Sequence, residues 1–337
     1  MRLRRSAVAL TAVLGLALVS ACGSGDDKSS GSDLQKVNYL TSFGQFGREA
    51  YAYVALEKGY FKDAGFDVTI TKGNGTVEVM KQVAGGQADY GIGDFTAIAI
   101  TLGKQKLPVT TVGMIQQRSM AAIVSLQGYG ITKPEDLMDK SVGDQPGSTN
   151  QVMFPVYAKA VGIDEKKVTF IPSPPQNLPA VLSTKKVDAI GQFVVGVPLV
   201  EKADGQGRKA VVLPYGEKLP QLYGNAILTR SDVAKDHPDQ VKKFTTALLK
   251  GLQDTIADPA AAAETLKKYV PTTDVAVATK ELELMKPYVQ PTSGDTIGAV
   301  DEERVQKVLD TLAEADTLTP GTLKPADVVT VGLAPKS

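Results

Sequence analysis

From Lys36 onward the chain alternates short apolar runs with amphipathic stretches, and this alternation limits the fold more than any other feature. The runs at residues 37–41, 67–71, 90–92, 109–115, 121–126, 168–171, 189–191 and 210–213 read as strands. Helical patterns lie between them. Residues 49–64 end at Gly65; residues 76–84 place Val77, Met80 and Ala84 on one face and stop at Gly85-Gly86; residues 150–161 stop at Gly162. Glycine past the last helical residue is the usual left-handed C-terminal cap. Parallel strands need long crossovers, usually helical, so the pattern predicts an α/β fold with open, mostly parallel sheets. The last third changes character. Residues 237–256 carry Val241, Phe244, Leu248 and Leu252 at helical spacing, and 259–269, 274–285 and 301–315 also read as helices. In the last of these Val305, Val308, Leu309 and Leu312 form the buried stripe. A chain of 337 residues arranged this way suggests two lobes, each with its own core.

Composition narrows the chemistry. The chain has one His and one Cys, so a His/Cys metal site, a Ser-His-Asp triad and a disulfide framework all lack material. Lys+Arg and Asp+Glu are equal at 37 each, which removes a bulk electrostatic case for nucleic acid. No Gly-x-Ser-x-Gly elbow or Walker loop is present. His237 precedes Pro238 at a predicted helix start, where a capping or solvated role is expected.

The N-terminus reads as a secretory signal. Arg2, Arg4 and Arg5 precede an apolar, small-residue run over residues 6–20. The run is too short for a membrane span of ~20 residues. It ends in Val19-Ser20-Ala21-Cys22, which resembles a bacterial lipobox, the alternative being an incidental Cys. Cleavage before Cys22 leaves 34 basic and 37 acidic side chains, a mature balance of −3. Residues 1–21 are thus expected to be a lipoprotein signal peptide. Residues 22–35 would be the acylated Cys22 and a flexible tether, since 23–33 carry no apolar side chain.

Several segments resemble one family in order and spacing. The stretch from Tyr53 through Gly59-Tyr60-Phe61 to Gly65-Phe66-Asp67-Val68 resembles the first helix and second strand of solute-binding proteins of ABC importers. The branch is the one that serves thiamine-pyrimidine precursors, alkanesulfonates, taurine and nitrate. Gly86-Gln87-Ala88-Asp89-Tyr90-Gly91 is similar to its Gly-x-x-Asp-hydrophobic-Gly stretch. Residues 131–137, 140–143 and Gly147-Ser148 resemble the entry to the second lobe, and residues 186–190 its second Asp-Ala motif. Residues 223–229 resemble the return crossing, and residues 237–244 a helical segment of the pyrimidine-precursor subgroup. The resemblance covers about residues 36–334. It implies a two-lobe type II periplasmic-binding fold with two crossover strands: lobe 1 from 36–120 and 225–337, lobe 2 from 121–224. Where the pyrimidine-precursor subgroup has Trp and a Pro-Asn-Thr-Asn-His run, this chain has residues 42–49, with Glu49 near the place of the His.

In open α/β sheets ligands bind beyond the carboxyl ends of strands, which selects the candidate residues. Phe43, Gln45, Phe46, Arg48 and Glu49 follow the first strand. The rings could sandwich a planar ligand and Arg48 could grip an anion; alternatively Arg48 and Glu49 are a solvated pair at a helix start. Asp94-Phe95 follows the third strand, where Asp94 accepts from a ligand, caps the next helix, or does both. Gly73-Asn74-Gly75 is a turn or a close approach of backbone to ligand. Gly147, Ser148 and Thr149 open a helix whose amides suit an anion or a carbonyl oxygen, the alternative being simple capping. Gln192 is a polar donor beside Phe193, itself more simply a core residue. Residues 118–120 and Tyr223-Gly224-Asn225 lie near the crossovers as hinge residues, ligand contacts or both.

The resemblance implies a lipid-anchored protein on the extracytoplasmic face of a cell membrane. It would capture a small solute between its lobes and deliver it to an ABC permease and its ATPase, as a monomer, without cofactor, metal or nucleic acid. A thiamine pyrimidine precursor is the first expectation for the ligand, a sulfonate, taurine or nitrate-like anion the second. The alternatives are an enzyme of thiamine-precursor synthesis or a hydrolase on the same fold, and a ligand-sensing lipoprotein.

Overall fold

The computed structural model describes residues 34–291 and 296–335, and the expected signal peptide, tether and Cys22 lie outside these. The strands are β1 (Gln35–Leu40), β2 (Phe43–Gly44), β3 (Phe66–Thr71), β4 (Gly73–Asn74), β5 (Tyr90–Asp94), β6 (Val109–Met114), β7 (Ala121–Leu126), β8 (Ser141–Asp144), β9 (Thr169–Pro172), β10 (Ala189–Phe193), β11 (Ala210–Pro214) and β12 (Asn225–Arg230). The helices are α1 (Ala50–Glu57), α2 (Tyr60–Asp63), α3 (Thr76–Ala84), α4 (Phe95–Lys104), α5 (Thr149–Val161), α6 (Leu178–Ser183), α7 (Val197–Asp204), α8 (Ser231–Asp236), α9 (Pro238–Ala257), α10 (Pro259–Tyr269), α11 (Val275–Val289), α12 (Glu302–Glu314) and α13 (Pro325–Val328).

Two five-stranded sheets result, in the orders β3-β1-β5-β12-β6 and β11-β7-β10-β8-β9, with β2 and β4 forming a separate small ribbon. The sheets are mixed. β12 runs antiparallel to β5 and β6, and β7 runs antiparallel to β10 and β11. The reversed strand in each sheet is the one that enters from the other sheet, so its direction follows from the crossing. Apolar patterning cannot report this, because strands buried on both faces look alike whichever way they run.

The two crossing segments run side by side. Ser119 N donates to Leu222 O at 3.0 Å, Gly224 N to Gln116 O at 3.1 Å, and Asn225 N to Gln116 Oε1 at 2.8 Å. Residue 224 must be glycine for this approach, because a Cβ there would lie 2.8 Å from both Arg118 O and Gln116 Cβ.

Residues 49–64 form two helices rather than the one expected. Gly59 adopts φ +76° and ends α1, and α2 then folds Phe61 back onto the Phe244 ring at 5.2 Å. Phe244 also stacks on Tyr90 at 3.7 Å, which locks α9 to the first sheet. A ring buried this way contributes roughly 1.5–3 kcal/mol. α1 and α9 cross closely because Gly251 has no side chain; its Cβ would stand 2.4 Å from Tyr51 O. In α3 the buried stripe is Thr76, Val79, Met80 and Val83, while Val77 and Ala84 are half-buried. Val77 sits beside Gly147 of the other sheet's lobe, which is why it departs from the stripe expected of a helix on a single core. The expected stripes of α9 and α12 are buried as read. Among the described residues no helix is long and apolar enough to cross a membrane.

Candidate functional site

The chain direction brings one edge of each sheet together. On the first sheet this edge carries the carboxyl ends of β1, β3 and β5 and the start of β12, where Asn225 registers with Asp94. On the second it carries the carboxyl ends of β8 and β10 and the start of β7, where Ala121 registers with Phe193. The edges touch. Thr76 Oγ1 lies 3.0 Å from Thr149 Oγ1, Val77 N donates to Gly147 O at 3.4 Å, and the Phe43 and Phe193 rings meet edge to face at 6.2 Å. Gly75, with φ +102°, lets its backbone pass Ser148, whose Cα would be 3.4 Å from a Cβ.

Arg48 occupies the centre of the seam. Its guanidinium lies 4.8 Å from the Phe46 ring, 4.7 Å from Phe193 and 5.9 Å from Phe43, and it donates to Phe43 O at 3.0 Å. The solvated-pair alternative fails, because Arg48 is 1% and Glu49 0% exposed. Their closest approach, 4.0 Å, is an attraction and not a hydrogen bond, so Arg48 Nε has no partner. Burial lowers the Arg48 pKa against the attraction of Glu281 and Glu49. Glu49 accepts from the Ser42 and Tyr51 hydroxyls, and Asn225 Nδ2 donates to Ser42 Oγ at 3.2 Å. Burial nevertheless pushes the Glu49 carboxyl up, opposed chiefly by Arg48.

Asp94 caps α4 through Oδ1, which accepts from Thr96 N at 2.9 Å and Ala97 N at 3.1 Å. Its Oδ2 has no partner, and neither does Asn225 Oδ1 on the adjacent strand. Burial pushes Asp94 up to about 7, opposed only by these backbone amides. Phe95 is fully buried, edge-on to Tyr223 at 5.5 Å, and is not among the rings around Arg48.

In the second lobe Ser148 caps α5 by accepting from Gln151 N at 3.1 Å and donates to Asp144. Gly147 N is taken by Gln151 Oε1 at 2.8 Å, so this amide is already satisfied. Asp144 accepts from Gln145 N at 2.8 Å, and burial holds it up to about 7. Gln192 Oε1 accepts from Phe193 N at 2.9 Å, and its side chain lies over Gly196. Gln45 donates to the Tyr53 hydroxyl on the outer side of the seam. His237 is exposed at the α9 N-cap position, and its side chain makes no capping bond.

The structure adds a residue absent from the sequence reading. Glu281 of α11 is 1% exposed, and burial holds it up to about 7 against the attraction of Arg48. It accepts from the Gly47 and Arg48 amides, while its Oε1 has no partner. Its signal was present: Glu281 sits with Ala278, Leu282 and Met285 on the apolar face of its helix. A cavity of about 300 Å³ lies beside it, lined by Gln45, Phe46, Leu199, Lys202 and Thr273 among others. A larger groove of about 530 Å³ between α2 and α9 is lined by none of the residues at the strand ends. Among the described residues no His/Cys/Asp/Glu group could hold a metal ion.

The chain is similar to known proteins in sequence and in fold. Residues 48–262 match the family described as NMT1/THI5 like. A 4-amino-5-hydroxymethyl-2-methylpyrimidine phosphate synthase of Aspergillus parasiticus is 26% identical over 242 residues, 68% of this chain and 69% of that protein. The riboflavin-binding protein RibY of Chloroflexus aurantiacus is 26% identical over 241 residues, 71% of this chain and 67% of that protein. The alkanesulfonate-binding protein SsuA from Xanthomonas axonopodis pv. citri, solved bound to MOPS, superposes with a TM-score of 0.70 at 17% identity over 89% of this chain and 100% of that one. The two lobes and paired crossings therefore make the two-lobe periplasmic-binding fold.

Proposed function

Since the chain belongs to the NMT1/THI5-like family, we propose that it is the solute-binding component of an ABC importer, acting on the extracytoplasmic face of a membrane. Lobe 1 comprises 36–120 and 225–337, lobe 2 comprises 121–224, and they pivot about the paired crossings. Ligand contacts from both edges favour the closed form, which a permease then recognises; ligand binding shifts an existing open–closed equilibrium. One observation carries this reading. Buried polar atoms without partners, Asp94 Oδ2 and Asn225 Oδ1, lie at register-paired positions where the two sheet edges meet. Such atoms are costly to leave unpaired, and a donor from a bound solute between the lobes would satisfy them.

The ligand is a small nitrogen- or sulfur-containing nutrient. A thiamine pyrimidine precursor is favoured, in keeping with the name of the A. parasiticus relative, and RibY adds a flavin to the candidates. Sulfonates, taurine and nitrate are the second class. Phe43, Gln45, Phe46, Arg48, Glu49, Asp94, Gly147, Ser148, Thr149, Gln192, Phe193 and Asn225 supply the contacts or position them. Cys22 anchors the mature chain by its acyl groups. A thermal-shift panel of pyrimidines, riboflavin, sulfonates, taurine and nitrate tests the reading, because a ligand of the native state raises apparent stability. No shift with any of them would count against it.

The synthase name among the relatives supports a second reading, an enzyme of pyrimidine-precursor synthesis. Conversion of any panel compound by the purified protein would establish that reading and displace the first.

A further inference from the structure

One flank of the seam has an unmet chemical demand. The cavity of about 300 Å³ spans both lobes: Gln45 and Phe46 come from the first, Leu199 and Lys202 of α7 from the second, Thr273 from the α10–α11 loop and Glu281 from α11. Its volume is at the lower end of the range for small-ligand sites, about 300–1,000 Å³. Glu281 is 1% exposed and its Oε1 has no partner; Thr273 Oγ1, in the loop between α10 and α11, is also buried without one. A buried carboxylate oxygen that accepts nothing is costly, so the position favours an occupant that donates.

Arg48 keeps one unpartnered donor, its Nε, but that atom lies 4.0 Å from Glu49 Oε1. Arg48 donates to Phe43 O, lies 4.0 Å from Glu49 and is enclosed by aromatic rings. Lys202 is paired with Asp274. Two buried carboxyl groups, Glu49 and Glu281, stand near one buried cation, so acceptor capacity is in excess here. An oxyanion would meet that excess without a free counter-charge. A donor or cation would meet a free acceptor.

We propose that this cavity is the subsite for an ammonium, amidinium or amino-heterocycle end of the ligand, with Glu281 as its acceptor, and that it discriminates against sulfonates, nitrate and other oxyanions. This rests on the reading of the seam as a solute site. The chemistry is that of a hydrogen-bond donor held by a buried carboxylate, the stronger kind of polar contact.

The test uses the full chain and two probes built on one ring, benzamidine and benzenesulfonate, titrated by ligand-observed NMR. Wild type should bind benzamidine at millimolar or lower concentration and benzenesulfonate at least tenfold more weakly. Glu281→Gln should weaken benzamidine about tenfold or more. Leu199→Trp, which fills the cavity from the second lobe and leaves the Glu281 carboxyl in place, should do the same. Equal binding of the two probes, unchanged benzamidine binding in both variants, or none to wild type would overturn the proposal. If a compound from the thermal-shift panel binds wild type and Glu281→Gln alike, the subsite falls and the solute-binding reading stands. A panel without any hit counts against that reading instead.

Discussion

Replacing Glu281 by Gln should stabilise the protein at pH 8 and much less at pH 5. The folded carboxyl titrates at about 7 because of burial, against 4.5 in the unfolded chain. A folded value above the unfolded one means that the folded state holds the proton more tightly. The stability so gained is complete below 4.5 and is lost as pH rises through about 7. At about 1.4 kcal/mol per unit, the loss by pH 8 is roughly 3 kcal/mol, and at pH 5 less than about 1 kcal/mol. Glutamine keeps the shape and can still accept from the Gly47 and Arg48 amides, but it carries no charge to desolvate. The variant should therefore gain roughly 3 kcal/mol at pH 8 and under about 1 kcal/mol at pH 5. Asp94 and Asp144, also raised to about 7, titrate in both proteins and cancel from the difference. Urea unfolding followed by circular dichroism at both pH values measures the gap, read from midpoints at a common slope. A gap independent of pH, or a variant less stable than wild type at pH 8, would refute the reasoning. A gain in stability together with weaker ligand binding is the pattern of a residue kept for function.

Four further outcomes are expected. Arg48→Met removes the cation that Glu49 and Glu281 share and should cost about 3–5 kcal/mol at pH 8, with a smaller loss at pH 5, where Glu281 is protonated; equal losses would sink the charge argument. Gly75→Ala forces a side chain into φ +102° beside Ser148 and should cost about 1–3 kcal/mol; because that contact joins the lobes, the radius of gyration by small-angle scattering should also rise. Asp94→Asn keeps an oxygen for the α4 cap, so melting at pH 8 should hold or improve while ligand-induced shifts change; a drop in melting temperature would show that the charge itself is structural. Cys22→Ala should move the protein from the membrane fraction to the soluble one, and retention on membranes would contradict the anchor.

Local physics was legible in the sequence, and long-range geometry was not. The apolar runs placed the central strands because a strand buried on both faces carries little but aliphatic and small residues, as Ala121–Leu126 does. Gly162 marked the end of α5 because its φ of +73° is costly for other residues. Asp94 and Ser148 were legible as caps, since capping is decided within three residues. Gly59 was misread because its left-handed turn is set by where Phe61 packs, on a helix nearly two hundred residues later. Arg48 was seen as an anion grip, but rings and carboxylates from elements far apart in sequence enclose it. Glu281 was overlooked for the same reason. A lone acid on an apolar helical face is a signal, but its partner Arg48 lies more than two hundred residues away.

The same distance explains why likeness to a sulfonate binder carries the scaffold and not the ligand. A shared fold brings strand ends and helix starts together, and the side chains there decide what is held. In this chain two features that would suit an oxyanion are engaged within the protein, one wholly and one in part. Gln151 takes the Gly147 amide at the start of α5, and Phe43 O, with Glu49 and Glu281 nearby, takes the charge of Arg48. Of the buried atoms without partners there, Asp94 Oδ2, Asn225 Oδ1 and Glu281 Oε1 are acceptors, and Arg48 Nε is a donor. Three such acceptors against one donor, itself 4.0 Å from Glu49, accord with the proposal that the ligand brings hydrogen-bond donors.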